Sequence, residues 1–165
     1  MDKVDIVLTV INVILTVFSG VGAYKSIKYF RKSRNLTIYA QTNKALIEIQ
    51  KMLRKLPEAL SASSMGMRGK KGFSLQNTLG NIGRELNSSL IEIRSSLPSV
   101  YTSEFGRLQD DRSFSLQKYI NSLISGEAVT ENGLDLDKYN LCQNRLMTLQ
   151  DNLKRWISET EEKLK

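Results

Sequence analysis

The chain contains no histidine, one cysteine and two prolines among its 165 residues. Without histidine it lacks the commonest general base and the commonest metal ligand of proteins. A single cysteine, Cys142, excludes an intrachain disulfide and a structural zinc site, and it agrees with a reducing compartment. The scarcity of proline and glycine argues against long disordered segments.

Motifs for catalysis are also missing. Asp110 and Asp111 are adjacent, so on a helix their side chains point about 100° apart and do not converge as an acid–base pair. Asp135 and Asp137 follow Gly133, whereas a calcium-binding loop needs its glycine after the first acids. No phosphate-binding loop or dinucleotide-binding glycine pattern is present. The sequence therefore predicts no enzymatic activity, no cofactor and no metal site.

What the chain does contain is a long apolar run near its start. Residues 6–24, IVLTVINVILTVFSGVGAY, carry no charge. A helix of this length spans roughly 28 Å, which is close to the thickness of the hydrocarbon core of a bilayer. Residues 1–24 are therefore predicted to form a transmembrane anchor.

Five cations follow this run without an intervening acid: Lys25, Lys28, Arg31, Lys32 and Arg34. Positive charge beside a membrane span stays on the cytoplasmic side. We therefore expect a single-pass protein of the inner (plasma) membrane, with its N-terminus outside and its C-terminal domain cytoplasmic. Residues 25–35 then form a basic juxtamembrane linker whose cations contact anionic membrane lipid. The alternative is a signal peptide cleaved after Ala23, but the leader lacks a basic start and the apolar run is longer than usual.

Polar and small side chains recur within the apolar run at steps of three and four residues: Asp5, Thr9, Asn12, Thr16, Ser19 and Ala23. This spacing places them on one helical face. Such a stripe is typical of a helix that self-associates in lipid, where small residues pack closely and polar groups bond across the interface. We therefore expect a homo-oligomer formed through the transmembrane helix. Two alternatives stay open: the side chains bond their own backbone, or the stripe lines a pore.

Apolar residues recur at helical spacing in four later segments: residues 36–56, 75–97, 99–125 and 134–164. Pro57 and Pro98 are expected to end the first two helices, because the residue before a proline is pushed away from helical geometry. Asp110 or Asp111 is a candidate N-cap of the shorter third helix. No segment alternates as a strand does. The sequence predicts an all-α chain in which residues 36–165 fold as a cytosolic antiparallel bundle of about four helices.

Two helices of this bundle, residues 75–97 and 134–164, are predicted to supply most of the core. Asp135 is a candidate N-cap of the second. Gly80 and Gly83 lie inside the first, where each costs about 1 kcal/mol relative to alanine. They indicate either a close helix crossing or tolerated defects, and the sequence does not separate the two.

Residues 57–73 are predicted to form a loop that contains Arg68, Lys70 and Lys71 and ends before Ser74, a candidate N-cap. Glycines and cations that lead into a helix N-terminus can bind phosphate. These four residues are therefore a candidate site for an anionic ligand, and the alternative is a solvated loop beside the anionic membrane. The net charge of +7 is concentrated here and in residues 25–34, so no nucleic acid duplex is expected as a partner.

Together these features predict a self-associating interaction or regulatory module at the inner face of the membrane, with a cytosolic protein as a candidate partner. The alternative is a ligand-gated membrane effector, pore-forming or depolarising, whose bundle senses an anionic ligand. Small bacterial effectors of antiphage defence follow that plan, although no motif in the chain identifies it as one of them.

Overall fold

The computed structural model describes residues 3–66, 72–130 and 133–165, with side chains described for residues 15–64, 74–129 and 133–165. The elements in chain order are α1 (Lys3–Gly66), α2 (Gly72–Ser96), α3 (Ser99–Gln109), α4 (Leu116–Ser125), β1 (Val129–Thr130), β2 (Gly133–Leu134) and α5 (Leu136–Glu162). The two strands form a small antiparallel hairpin. The prediction of an all-α chain is confirmed.

The chain is organised around α1, which has 64 residues and is about 96 Å long at the helical rise per residue. It passes through the predicted linker, residues 25–35, without a break. It also passes through Pro57, so the prediction that this proline ends the helix is wrong. Leu56 and Ala59, on either side of Pro57, are fully buried. Their packing outweighs the roughly 3 kcal/mol that an internal proline costs.

The last turns of α1 replace part of the predicted loop. Residues 57–66 are helical, and the next helix begins at Gly72. Ser63 accepts a hydrogen bond from the backbone N–H of Leu134 over 2.8 Å. This contact joins the end of α1 to the hairpin, a tertiary constraint that local sequence does not reveal.

The four legs of the bundle alternate in direction. Two ion pairs join α1 to α2 in reverse order along the chain, Lys44 with Glu92 and Lys55 with Glu85. α5 also runs antiparallel to α1, because its last turn lies beside Tyr39, whose hydroxyl donates to Glu161 over 3.1 Å. α3 and α4 form the remaining leg and pack along α5 and α2. The predicted antiparallel bundle is confirmed, with one of its four legs split in two.

The split separates α3 from α4 at residues 110–115. The carboxylate of Asp111 accepts hydrogen bonds from two backbone N–H groups of this turn, each at 2.8 Å. Such side-chain bonding competes with helical hydrogen bonds. The helix resumes after Ser115, whose side chain caps α4. The prediction that Asp110 or Asp111 caps this helix is therefore wrong.

A hairpin links α4 to α5. Gly126 ends α4 in the left-handed region with φ 84°, and Gly133 has φ 97°. The sequence predicted no strand here, because strands of two residues are too short to show alternation. Asn132 lies outside the described residues. Asp135 caps α5 by accepting from a backbone N–H in its first turn, as predicted.

The core is built from one stripe of each long helix. The buried residues of these stripes are Ala45, Ile49, Met52, Leu56 and Ala59 from α1, Leu79, Ile82, Leu86, Leu90 and Ile93 from α2, and Tyr139, Cys142, Leu146, Leu149, Leu153 and Trp156 from α5, and α4 adds Leu116, Ile120 and Leu123. Apart from Ala59, which lies in the predicted loop, the residues of α1, α2 and α5 lie in the predicted helical segments. α1 contributes to the core alongside the two helices that were predicted to supply most of it, because it packs against both.

In the described part of the chain, no helix combines the length and apolarity that crossing a membrane requires. The predicted anchor, residues 1–24, extends beyond that part, since the side chains of residues 1–14 lie outside it.

Candidate functional site

The end of the bundle near Asn35 and Lys163, here called the base of the bundle, carries a group of exposed basic residues. The five predicted lipid-contacting cations, Lys25, Lys28, Arg31, Lys32 and Arg34, are all exposed on α1. We call them the basic collar. None of them forms an ion pair with another described residue. Among the described residues, then, no carboxylate pairs with a cation of the collar.

Large apolar side chains are exposed beside the collar. Tyr24, Tyr29 and Phe30 are 70–71% exposed, and Ile27 is 52% exposed. Aromatic rings next to basic residues are typical of the boundary between water and the bilayer interior. Farther toward the start of α1, Leu15, Val17, Phe18 and Val21 are also exposed.

The C-terminal end of α5 packs against α1 beside the collar. The side-chain amide of Asn35 donates to the backbone carbonyl of Lys163 over 3.4 Å. This contact brings Lys163 and Lys165 next to α1. Neither lysine was predicted as a site residue, although the predicted antiparallel packing of α5 along α1 was a signal that could have revealed them.

A cavity of about 510 Å³ lies between the collar and the end of α5. Its charged lining consists of Lys28, Arg31, Lys32, Lys163 and Lys165, and no acidic side chain is among the residues that line it. Tyr24 and Ile27 also line it, on the side toward the start of α1. We call this cavity the collar cavity. It has the volume of a small-molecule site and the charge of an anion site.

A second cavity of about 420 Å³ adjoins it between α1, α3 and α5. Arg31 and Arg34 line one part, but Glu159 lines another. Tyr101 also lines this cavity, and its ring stacks on Trp156 with centroids 4.4 Å apart. The mixed charge makes this cavity a weaker candidate for an anion than the collar cavity.

The predicted oligomer stripe is only partly described. Thr16, Ser19 and Ala23 are exposed, whereas the side chains of Asp5, Thr9 and Asn12 lie outside the described residues. The steps of three and four continue past Ala23 through further exposed residues, Ser26, Phe30, Ser33 and Thr37. Phe30, Ser33 and Thr37 line a groove of about 360 Å³ that α1 forms with Val100 at the start of α3. The stripe thus leads into the base of the bundle.

The predicted anion site between α1 and α2 cannot be assembled from described residues. Arg68, Lys70 and Lys71 lie outside them. Ser74 is exposed and lies inside the first turn of α2, which begins at Gly72, so it is not the N-cap of that helix.

Burial and hydrogen bonding shift the pKa values of several titratable groups of the bundle. Burial raises the pKa of Glu48, but hydrogen bonds from Lys51 and Ser89 outweigh it and lower that pKa overall. Burial raises the pKa of the Cys142 thiol to about 12. Burial also raises the pKa of Tyr119, whose hydroxyl has no hydrogen-bond partner among the described residues. Within the same residues, no three metal-ligating side chains cluster.

The chain matches no protein-family model, no curated protein and no solved structure. Its function is therefore inferred from its own residues.

Proposed function

We propose that the chain is a single-pass membrane protein whose helical bundle is a self-associating interaction module at the inner face of the membrane. The observation that carries this proposal is the continuity of α1. One helix joins the apolar run, the basic collar and the core of the bundle without a break. The collar then lies at the level of the lipid headgroups, where its cations favour the cytoplasmic side.

The exposed apolar side chains of α1 support the same proposal. Before the collar in sequence, Phe18 is 71% exposed and Val17 is 59% exposed, whereas after the collar the apolar residues Ile49 and Met52 of the same helix are buried in the bundle. Monomeric proteins in water rarely leave so much contiguous apolar surface uncovered. Lipid acyl chains and a second copy of the helix could both bury this surface by contacting its apolar side chains.

Membrane insertion is tested by alkaline carbonate extraction and by protease added to intact cells. We expect the chain to stay with the membrane pellet and the bundle to resist external protease. Leu15→Lys with Val17→Lys should release the chain, because both positions lie near the centre of the apolar run, where each lysine costs about 3 kcal/mol. The matched control, Ile47→Lys with Ile91→Lys, adds the same charge to exposed positions of the bundle and should leave the chain in the membrane. Extraction of the unaltered chain, or cleavage of its bundle from outside, overturns the proposal.

Self-association is tested by native mass spectrometry of the detergent-purified chain. Thr16→Leu with Ser19→Leu removes polar and small groups from the stripe, so the oligomeric fraction should fall. Val17→Leu with Val21→Leu changes two neighbouring positions off the stripe and should leave the oligomer unchanged. Equal effects of the two pairs would show that the stripe is not the interface.

A ligand-gated effector is the second candidate, and the same unbroken helix favours it. A displacement of α2 or α5 against α1 would be transmitted along α1 to the apolar run. This candidate predicts that overexpression depolarises cells and that Asn12→Leu or Thr16→Leu relieves the depolarisation. An unchanged membrane potential on overexpression leaves the interaction module as the better account.

A further inference from the structure

We propose that the collar cavity binds the phosphate-bearing headgroup of an anionic lipid, held jointly by α1 and the end of α5. This proposal rests on the proposed membrane anchoring and adds a specific site to it. The cavity collects cations from two parts of the chain that are far apart in sequence: Lys28, Arg31 and Lys32 from α1, and Lys163 and Lys165 from beyond α5.

The charge of this cavity differs from that of the other large groove on the bundle. The groove between α1 and α2 has about the same volume, 520 Å³, and its lysines face acids. Lys51 pairs with Glu48, and Lys55 pairs with Glu85. In that groove, then, neighbouring carboxylates neutralise both lysines. In the collar cavity no described acidic side chain neutralises the cations, and a bound anion would do so.

The cavity is also held in shape. The Asn35 amide donates to the backbone carbonyl of Lys163, and the Tyr39 hydroxyl, about one turn farther along α1, donates to Glu161. Both contacts join α5 to α1, so the lysines that follow α5 stay opposite Arg31. A guanidinium there can bind two phosphate oxygens at once.

The neighbouring surface favours a lipid over a free phosphate compound. Tyr24 and Ile27 line the collar cavity on the side toward the apolar run, and both are more than half exposed. A ligand that fits this arrangement has an anionic head and an apolar tail. Glycerophospholipids carrying a net negative charge have this chemistry.

The experiment measures phospholipid binding to the 165-residue chain in detergent by native mass spectrometry. Phosphatidylglycerol should bind the unaltered chain more tightly than phosphatidylcholine does. Lys163→Gln with Lys165→Gln should weaken phosphatidylglycerol binding roughly thirtyfold, because each cation near a lipid headgroup adds about 1 kcal/mol to binding. Lys118→Gln with Lys154→Gln removes the same charge from exposed positions on α4 and α5 outside the cavity and should change binding little. Equal binding by the two double variants overturns the proposal.

A double-mutant cycle tests whether the two elements hold one headgroup. Arg31→Gln should weaken binding in the unaltered chain and weaken it less when Lys163 and Lys165 are already replaced, since residues that share a ligand are energetically coupled. Additive losses would mean two independent contacts and would overturn the shared site.

Free glycerol phosphate separates the two sources of the phosphate group. We expect it to compete poorly with phosphatidylglycerol, because it lacks the chains that contact the apolar side of the cavity. Competition at equal concentration would assign the site to a free phosphate compound instead of a lipid. Failure of this proposal is distinguishable from failure of membrane anchoring, since the chain with Lys163→Gln and Lys165→Gln should still resist carbonate extraction.

Discussion

At the scale of single residues, Gly83 lies at the closest approach of α2 and α4. A Cβ added there would lie 2.7 Å from Ile124 Cγ1 and 3.1 Å from the backbone nitrogen of the same residue. Gly83→Ala should therefore lower the free energy of unfolding by about 1–3 kcal/mol, because the two helices must separate to admit the methyl group. Urea unfolding followed by the fluorescence of Trp156, the single tryptophan, measures this change.

Gly80 is the control for this prediction, since it lies one turn earlier on the same helix. The nearest atoms to a Cβ added there are 3.5 Å away, which is ordinary contact. Gly80→Ala should leave stability unchanged or raise it by up to about 1 kcal/mol through helix propensity. Equal losses at both positions would contradict the close crossing. The alternatives that the sequence left open therefore resolve differently at the two glycines.

Asp111 makes a prediction about pH. Hydrogen bonds from Ser113, the nearby Arg145 guanidinium and a further backbone N–H hold the pKa of its carboxyl well below its usual range. Because the folded-state pKa is depressed, this carboxylate contributes stability above the unfolded-state pKa of about 4 and loses that contribution as pH falls further. Asp111→Asn should be less stable than the unaltered chain at pH 7, and the two melting temperatures should converge in acid. Melting curves that stay equally far apart across this pH range would contradict the prediction.

At the scale of helices, the packing of α2 can be tested on its two faces. Leu86 is 1% exposed in the core, whereas Ile91 on the same helix is 55% exposed. Leu86→Asp should unfold the bundle, since an unpaired buried charge costs more than about 4 kcal/mol. Ile91→Asp makes the same kind of change at the surface and should leave the helical circular dichroism signal intact. A folded Leu86→Asp chain would contradict the core assignment.

The helices were predictable where one apolar stripe repeats over many turns. α2 and α5 bury such stripes, and their predicted bounds lie within a few residues of the observed ones. The errors arise where tertiary contacts override local signals. Pro57 is tolerated because the residues around it are buried, and Asp111 interrupts a leg because its side chain bonds the backbone of the turn. The candidate site also has a predictable and an unpredictable part. The five cations of the collar are close together in sequence and were predicted as a group. Lys163 lies beside them only because α5 packs antiparallel to α1.

At the scale of the whole molecule, the continuity of α1 fixes how the oligomer stripe and the bundle are oriented. Ala23 and Ala59 are separated by about ten full helical turns, as are Thr16 and Met52. Ala59 and Met52 are buried in the core. The stripe therefore lies on the side of α1 that carries the bundle. Copies that associate through the stripe would bring the bases of their bundles toward a common axis.

Cross-linking between copies tests this arrangement. Val100 lines the groove at the base of the bundle into which the stripe leads, whereas Ile47, which is equally exposed at 52%, is turned roughly 110° away from the stripe around α1. In membranes, a short bis-maleimide should therefore link copies carrying Val100→Cys much more efficiently than copies carrying Ile47→Cys. Cys142 does not interfere, because it is fully buried and a thiol with a pKa of about 12 is almost wholly protonated and unreactive at neutral pH. Stronger linking through Ile47→Cys would place the bundles on the outside of the assembly and would separate the stripe from the oligomer interface.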